Sequence, residues 1–467
     1  MEKTTRTEHD LLGDREVPNN VYWGVHTLRA VENYAISGQP IGAIPALIRA
    51  LALVKQAAAK TNRKLGLLDP QRAEAIEAAC VDIQHGRLHD QFVVDVIQGG
   101  AGTSTNMNTN EVIANLALEK LGWPKGHYSA LHPLNDVNMS QSTNDVYPTA
   151  LKLALVFAID HLLAAMEGLR AAFAAKAEEF ADVLKIGRTQ LQDAVPMTLG
   201  QEFSTYAVMM HEDIDRLREA IALIREVNLG ATAIGTGINT DIRYAKLATE
   251  TLSELSGVAL VPAHNLIEAT QDTGAFVQLS GVLKRIACKL SKVCNDLRLL
   301  SSGPQAGFNE INLPERAAGS SIMPGKVNPV IPEVVNQIAF EVIGNDMTIT
   351  MASEAGQLQL NAFEPIIAHS LFKSIEHLAA GCRTLTDNCV KGITANRELL
   401  AERVRVSAGL ATALNPHIGY EHATWAAREA LRTGRSVAEL VLEKGLMAQD
   451  TLDTVLRADV LTAPRAV

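Results

Sequence analysis

The feature that most constrains this 467-residue chain is an apolar rhythm that runs without a break through its centre. Phe276, Leu279, Leu283, Ile286, Leu290, Val293, Leu297 and Leu300 follow one another at spacings of three and four. That is the period of a helix with one face turned to a bundle or coiled-coil seam. Comparable patterns run over about 142–180, 199–229, 332–358 and 363–393, so about five long helices are expected mid-chain. A helix of about 30 residues is about 45 Å long, more than one small core requires. Apolar helices of that length usually pair with other subunits.

The remaining segments read differently. At 467 residues the chain exceeds one ordinary core, and two or three domains are the starting expectation. Helices are expected over about 44–65 and from residue 70, the latter opened by Asp69 as N-cap with Pro70 at the first helical position. Beyond about Asn396 the patterns shorten, Ser436 and Glu439 spell a capping box, and Gly445 offers a helix stop. The expected organisation is an N-terminal domain (1–141), a central helical domain (142–396) and a small C-terminal helical domain (397–467), all mainly α. Aromatics are only 4%, so Leu, Ala, Val and Ile must fill the cores.

Charge and composition exclude several functions. A formal net charge of -10, with no basic run interleaved with aromatics, argues against nucleic acid as a partner. The polar amino terminus lacks the apolar core of a secretory signal, and no uninterrupted apolar run looks long enough to cross a bilayer. A cytoplasmic protein without membrane contact is expected. Cys80, Cys288, Cys294, Cys382 and Cys389 form no CxxC pair and read as small core residues. No HExxH or similar cluster suggests a catalytic metal.

Four polar segments interrupt the helical scaffold: GGAGTSTNMNTNE (99–111), NMSQSTNDVYP (138–148), GRTQLQDAVP (187–196) and GSSIMPGKVNP (319–329). Singly, each reads as an N-cap or turn, because Ser, Thr and Asn compete with helical hydrogen bonding. Together, each leading into a long helix, they would aim free N–H groups and positive dipole ends at a small dianion. The last segment is not a phosphate-binding loop, since its spacing is one residue too long and Val327 follows Lys326.

These motifs, with VIPEVVNQ, VYWGVHTLRAVENY near the start and ALNPHIGYEHA near the end, resemble the aspartase/fumarase superfamily, and its aspartase branch most closely. The resemblance covers nearly the whole chain. It implies a three-domain fold whose central five-helix bundle builds a twenty-helix core in a homotetramer, with each active site shared by three subunits. It also implies reversible deamination of L-aspartate to fumarate and ammonia through an enediolate. Ser320 is then the base, with backbone N–H groups of its loop and the charge of Lys326 as the supports of its alkoxide. Thr103, Ser142, Thr143 and Ser321 are donors to the enediolate. Thr189, Lys326 and Asn328 hold the other carboxylate, and Asn144 and Gln190 face the amino group. No cofactor is required and no metal ligand is assigned, although Mg2+ activates some relatives.

Gln190 carries the choice of leaving group. Fumarases of the superfamily have His at the matching place, and an amide cannot protonate a departing hydroxide at neutral pH. Ammonia needs no such acid. The alternatives are a class II fumarase, a lyase for a larger succinyl-bearing substrate, and a catalytically silent helical scaffold. Two departures from the family pattern stand out: Leu134, Asn135 and Asp136 in HPLNDVN, and Gln305 where an Arg is usual, which removes one expected ion-pair partner.

Overall fold

The computed structural model describes residues 4–464; the outermost residues of the expected first and last domains lie outside them. The chain opens with a hairpin of β1 (Thr5–Asp10) and β2 (Gly13–Pro18), then α1 (Val25–Asn33), α2 (Pro45–Lys64), α3 (Pro70–Gln84) and α4 (Thr103–Lys120). The central stretch holds α5 (Thr143–Glu179), the hairpin β3 (Leu184–Thr189) with β4 (Gln192–Thr198), and α6 (Leu199–Ile224). Next come β5 (Glu226–Val227), α7 (Tyr244–Ser256), β6 (Val261–Pro262), α8 (Leu266–Gln271) and α9 (Gly274–Leu300). After β7 (Ile311–Asn312) follow α10 (Val330–Glu354), α11 (Glu364–Asn388), β8 (Thr394–Ala395) and α12 (Arg397–Val406), then short helices between Ala411 and Leu461. The fold is mainly α, as the apolar periodicity requires.

The five long helices α5, α6, α9, α10 and α11 start and stop close to the expected limits. The largest discrepancies are the ends of α6 and α11, each five residues short of the expected limit; after α6, Val227 pairs with Pro262 across a two-residue parallel ladder. All eight apolar positions of the α9 seam are buried. Full burial of each such side chain contributes about 2 kcal/mol as an upper estimate.

The chain divides into two compact units. One comprises Met1–Leu163, Asp215–Arg285 and Phe340–Leu378; the other Ala164–Ile214, Ile286–Ala339 and Ala379–Val467. Each unit therefore contains part of every long helix. Within the first, Ser280 and Lys284 of α9 both bond Asp346 of α10, at 2.7 and 2.6 Å. Within the second, Phe173 of α5 and Phe180 just past its end pack edge-on with Tyr206 and Phe203 of α6, respectively. Asn336 of α10 donates to the Ser291 carbonyl of α9.

The local signals behave as their chemistry dictates. Asp69 accepts from the Arg72 N–H at 3.0 Å, and Ser436 from the Glu439 N–H at 3.1 Å. Gly445, at φ 67°, follows the last turn of the helix Val437–Glu443. One expectation needs correction. Cys288 is exposed on α9, whereas the other four cysteines are buried; it falls outside the seam. By length and composition α5 could cross a membrane, as a buried core helix also could, and 67% of its most apolar window is buried inside the protein.

Candidate active site

Thr103, Ser142, Thr143 and Asn144 lie in the first unit; Thr189, Gln190, Ser320, Ser321, Lys326 and Asn328 lie in the second. In the first unit, the run Gly100, Ala101 and Gly102 is left-handed throughout, with φ of 88°, 55° and 86°. This run delivers the chain to α4, and a Cβ on Gly102 would stand 2.4 Å from the Tyr147 ring. Thr103 begins α4, is exposed, and donates its hydroxyl to the Gly100 carbonyl at 2.7 Å.

Ser142 to Asn144 form the start of α5. Thr143 Oγ1 accepts from Asn106 Nδ2 at 3.1 Å, which leaves its own O–H hydrogen to donate elsewhere. Ser142 Oγ likewise accepts, from the Asn144 N–H at 3.3 Å. The Asn144 amide donates to the Ala233 carbonyl at 2.7 Å, which leaves its side-chain oxygen as an acceptor.

Two buried residues that the sequence reading passed over organise this half. Asp145 accepts from the N–H groups of Ser142, Gly230 and Thr232, at 2.9, 3.0 and 3.0 Å. Burial pushes its carboxyl up to about 6, against the pull of those donors. Lys55 of α2 is fully buried, and its Nζ donates to Asn106 Oδ1, Asn138 Oδ1 and Gln141 Oε1 at 2.6, 2.8 and 2.9 Å. Desolvation pushes its amine down to about 7, while three amide oxygens match the three N–H bonds of the ammonium. Lys55 thus grips Asn106, which in turn grips Thr143. The available signal was positional: Ile48, Leu51, Lys55, Ala58 and Asn62 share one helical stripe, and all are buried.

In the second unit, residues 187–196 do not lead directly into a helix as expected. They form most of the β3–β4 hairpin, whose turn residues Gln190 and Leu191 both have positive φ, 54° and 62°. Such a primed two-residue turn follows the natural twist of the strands. It presents Thr189 and Gln190 exposed at the tip. The β-branched and alternating residues of LKIGRT and QDAVPMT were the strand signal.

The loop 319–329 closes on itself. The Gly319 N–H donates to the Lys326 carbonyl at 2.8 Å, and Asn328 Nδ2 donates to the Gly319 carbonyl at 2.7 Å. A Cβ on Gly319 would lie 2.3 Å from the Lys326 oxygen, so only glycine allows this closure. Ser320 Oγ accepts from the N–H groups of Ile322 and Met323, at 3.2 and 2.9 Å. Those two donors are what an alkoxide on Ser320 needs. Ser321 and Lys326 are exposed, and Lys326 and Asn328 border a cleft of about 760 Å3 with Arg298, Asn309 and Glu333.

Both departures find local solutions. Leu134 and Asn135 donate their N–H groups to His132 Nδ1, and Asp136 accepts from the His132 N–H while pairing with Arg72 at 3.0 Å. Gln305 is exposed, and the buried ion pairs of its segment are made by Glu310, with Lys185 at 2.7 Å and Arg188 at 2.5 Å.

Among known proteins, the sequence model of the Lyase family matches residues 13–344, and that of the fumarase C C-terminus matches 410–463. An aspartate ammonia-lyase of Pseudomonas fluorescens is 61% identical over 463 residues, covering 99% of this chain and 97% of that protein. The crystal structure of a fumarate lyase:delta crystallin from Brucella melitensis, bound to cobalt, superposes with a TM-score of 0.95 at 56% identity, covering 98% and 99% of the two chains. A class II fumarase from Schistosoma mansoni superposes with a TM-score of 0.91 at 34% identity, covering 97% and 98%. With likeness of this depth spanning every motif described, the chain belongs to the aspartate ammonia-lyases, the carbon–nitrogen lyases within the aspartase/fumarase superfamily.

Proposed function

We propose that this chain catalyses the reversible elimination of ammonia from L-aspartate to give fumarate, with Ser320 as the base. The observation that carries the mechanism is the pair of N–H groups, from Ile322 and Met323, on Ser320 Oγ. A serine alkoxide so held takes a proton from the carbon next to the side-chain carboxylate. The carbanion's charge then spreads into that carboxylate as an enediolate. Thr103, Ser142, Thr143 and Ser321 donate to its oxygens, each such donor being typically worth about 3 kcal/mol of barrier. Thr143 is prepared for this, since Asn106 already occupies its acceptor side.

Thr189, Lys326 and Asn328 hold the second carboxylate, while Asn144 and Gln190 face the ammonium. The carbon–nitrogen bond then breaks, and ammonia leaves with the bonding pair. Gln190 has no proton to give and none is needed. The loop 319–329, hinged by Gly319 and Gly325 and stiffened by Pro324 and Pro329, closes over the substrate to exclude water.

The reading includes a homotetramer with a twenty-helix core and sites shared by three subunits. It is supported by the apolar stripe Phe340, Ile343, Met347 and Met351, exposed along α10. Segments 1–141, 142–396 and 397–467 act as its three domains, in the cytoplasm. The proposed chemistry requires no cofactor. Among the described residues, no group of three or more His, Cys, Asp or Glu side chains is placed to hold a metal.

The test follows fumarate absorbance with purified protein and either L-aspartate or L-malate. A signal from aspartate alone is expected. A signal from malate would make the protein a fumarase, and silence from both would leave a larger-substrate lyase or a silent scaffold.

A further inference from the structure

We infer that Glu310 is a positioning residue: its buried carboxylate clamps the β3–β4 hairpin and thereby aims Thr189 and Gln190. This rests on the proposed roles of those two side chains in holding substrate.

The side chain of Glu310 is 1% exposed, and each of its oxygens has a cation of β3. Arg188 Nη1 lies 2.5 Å from Oε1, and Lys185 Nζ lies 2.7 Å from Oε2. In a regular strand, residues 185 and 188 would face opposite sides, because side chains alternate. The pairing shifts register between Ile186 and Arg188, where Gly187 of β3 stands against both Ala194 and Val195 of β4, and at this irregularity both cations reach one carboxylate.

The clamp is held from both sides. The Glu310 N–H donates to the Leu300 carbonyl at 2.8 Å, and its carbonyl accepts from the Asn396 N–H at 3.0 Å. The Arg188 guanidinium lies 4.2 Å above the Phe308 ring, and Arg403 of α12 donates to the Phe308 carbonyl while standing 3.7 Å from Glu310. Lys185 also pairs with Glu202 of α6 at 2.6 Å. Beyond Arg188, by contrast, Thr189, Gln190, Leu191 and Gln192 are all exposed. No core packing orients the tip, so its direction is set at Arg188. Buried ion pairs add little net stability compared with apolar packing, and orientation is the use that remains.

The experiment compares wild type, Glu310→Gln, Arg188→Lys and the double variant by steady-state kinetics, thermal melting and amide exchange. Glu310→Gln keeps the side-chain shape but removes the buried charge the two cations share, leaving Lys185 to Glu202 and Arg188 to Asp193 at 3.6 Å; Arg188→Lys keeps the charge but loses the guanidinium and its stacking on Phe308. The expected result is a KM for L-aspartate raised about tenfold or more, with kcat changed less than about threefold. The two substitutions should be non-additive in KM, and exchange at 189–192 should quicken.

A fall in melting temperature with KM and tip exchange unchanged would overturn the proposal, as would fully additive effects. Should Glu310→Gln not fold, Arg188→Lys alone decides by the same KM and exchange readouts. Should wild type turn over no aspartate, the catalytic reading fails separately. The clamp then stands or falls on tip exchange.

Discussion

Ser320 shows how little a single side chain does alone. In the proposed mechanism its alkoxide is stabilised by the two backbone N–H groups that converge on the oxygen, and they do so because the chain turns tightly after Gly319. Ser320→Ala should lower turnover at least about a thousandfold while leaving circular dichroism and subunit assembly intact; near-normal turnover would remove Ser320 as the base. A second residue-scale prediction concerns Glu364, at the start of α11. Burial pushes its carboxyl up to about 8 from the ordinary 4.5, with Lys152 opposing. A carboxyl that prefers its proton in the fold stabilises fully below the unfolded value and loses that contribution as pH rises through the folded one. Glu364→Gln mimics the protonated form, so its stability advantage over wild type should widen by a few kcal/mol between about pH 5 and about pH 9. Urea midpoints at the two pH values decide this, and a constant difference would show that Glu364 does not titrate in that window.

At the scale of elements, the loop 319–329 and the β3–β4 hairpin solve the same problem in different ways. The loop is ordered by hydrogen bonds to its own backbone; the hairpin is ordered by a distant carboxylate. Gly319→Ala places a methyl where the Lys326 oxygen stands, so the loop must open. The expected result is a loss of kcat of about a hundredfold or more with less than about 1 kcal/mol lost in stability, because little apolar surface is buried there. Equal losses in both would show that the loop supports the fold. Sequence periodicity identified the five long helices because helical hydrogen bonds and side-chain neighbours are local. It missed the hairpin because Thr, Gln and Pro there read equally as a cap before α6.

For the whole molecule, the decisive feature is an unpartnered face. Phe340, Ile343, Met347 and Met351 lie at helical spacing on α10 and are 63%, 39%, 60% and 65% exposed. Contiguous exposed apolar surface of this kind marks an association site. Met347→Glu should shift the sedimentation of the assembly toward smaller species. The activity should fall with it and become dependent on protein concentration if, as proposed, each site is shared by subunits. A variant that stays tetrameric and active would move the interface off α10.

The amino-acid sequence by itself determined the helices, the caps at Asp69 and Ser436, and the kinds of side chain available for catalysis. Those depend on residues a few positions apart and on functional groups that keep their chemistry in any fold. Only the tertiary structure decided that Lys55, in an alanine-rich helix, would grip amides 51, 83 and 86 positions away. It likewise brought Glu310 to Arg188 across 122 positions of chain. Burial and electrostatic pairing depend on distance in space, and no local pattern of residues encodes that distance.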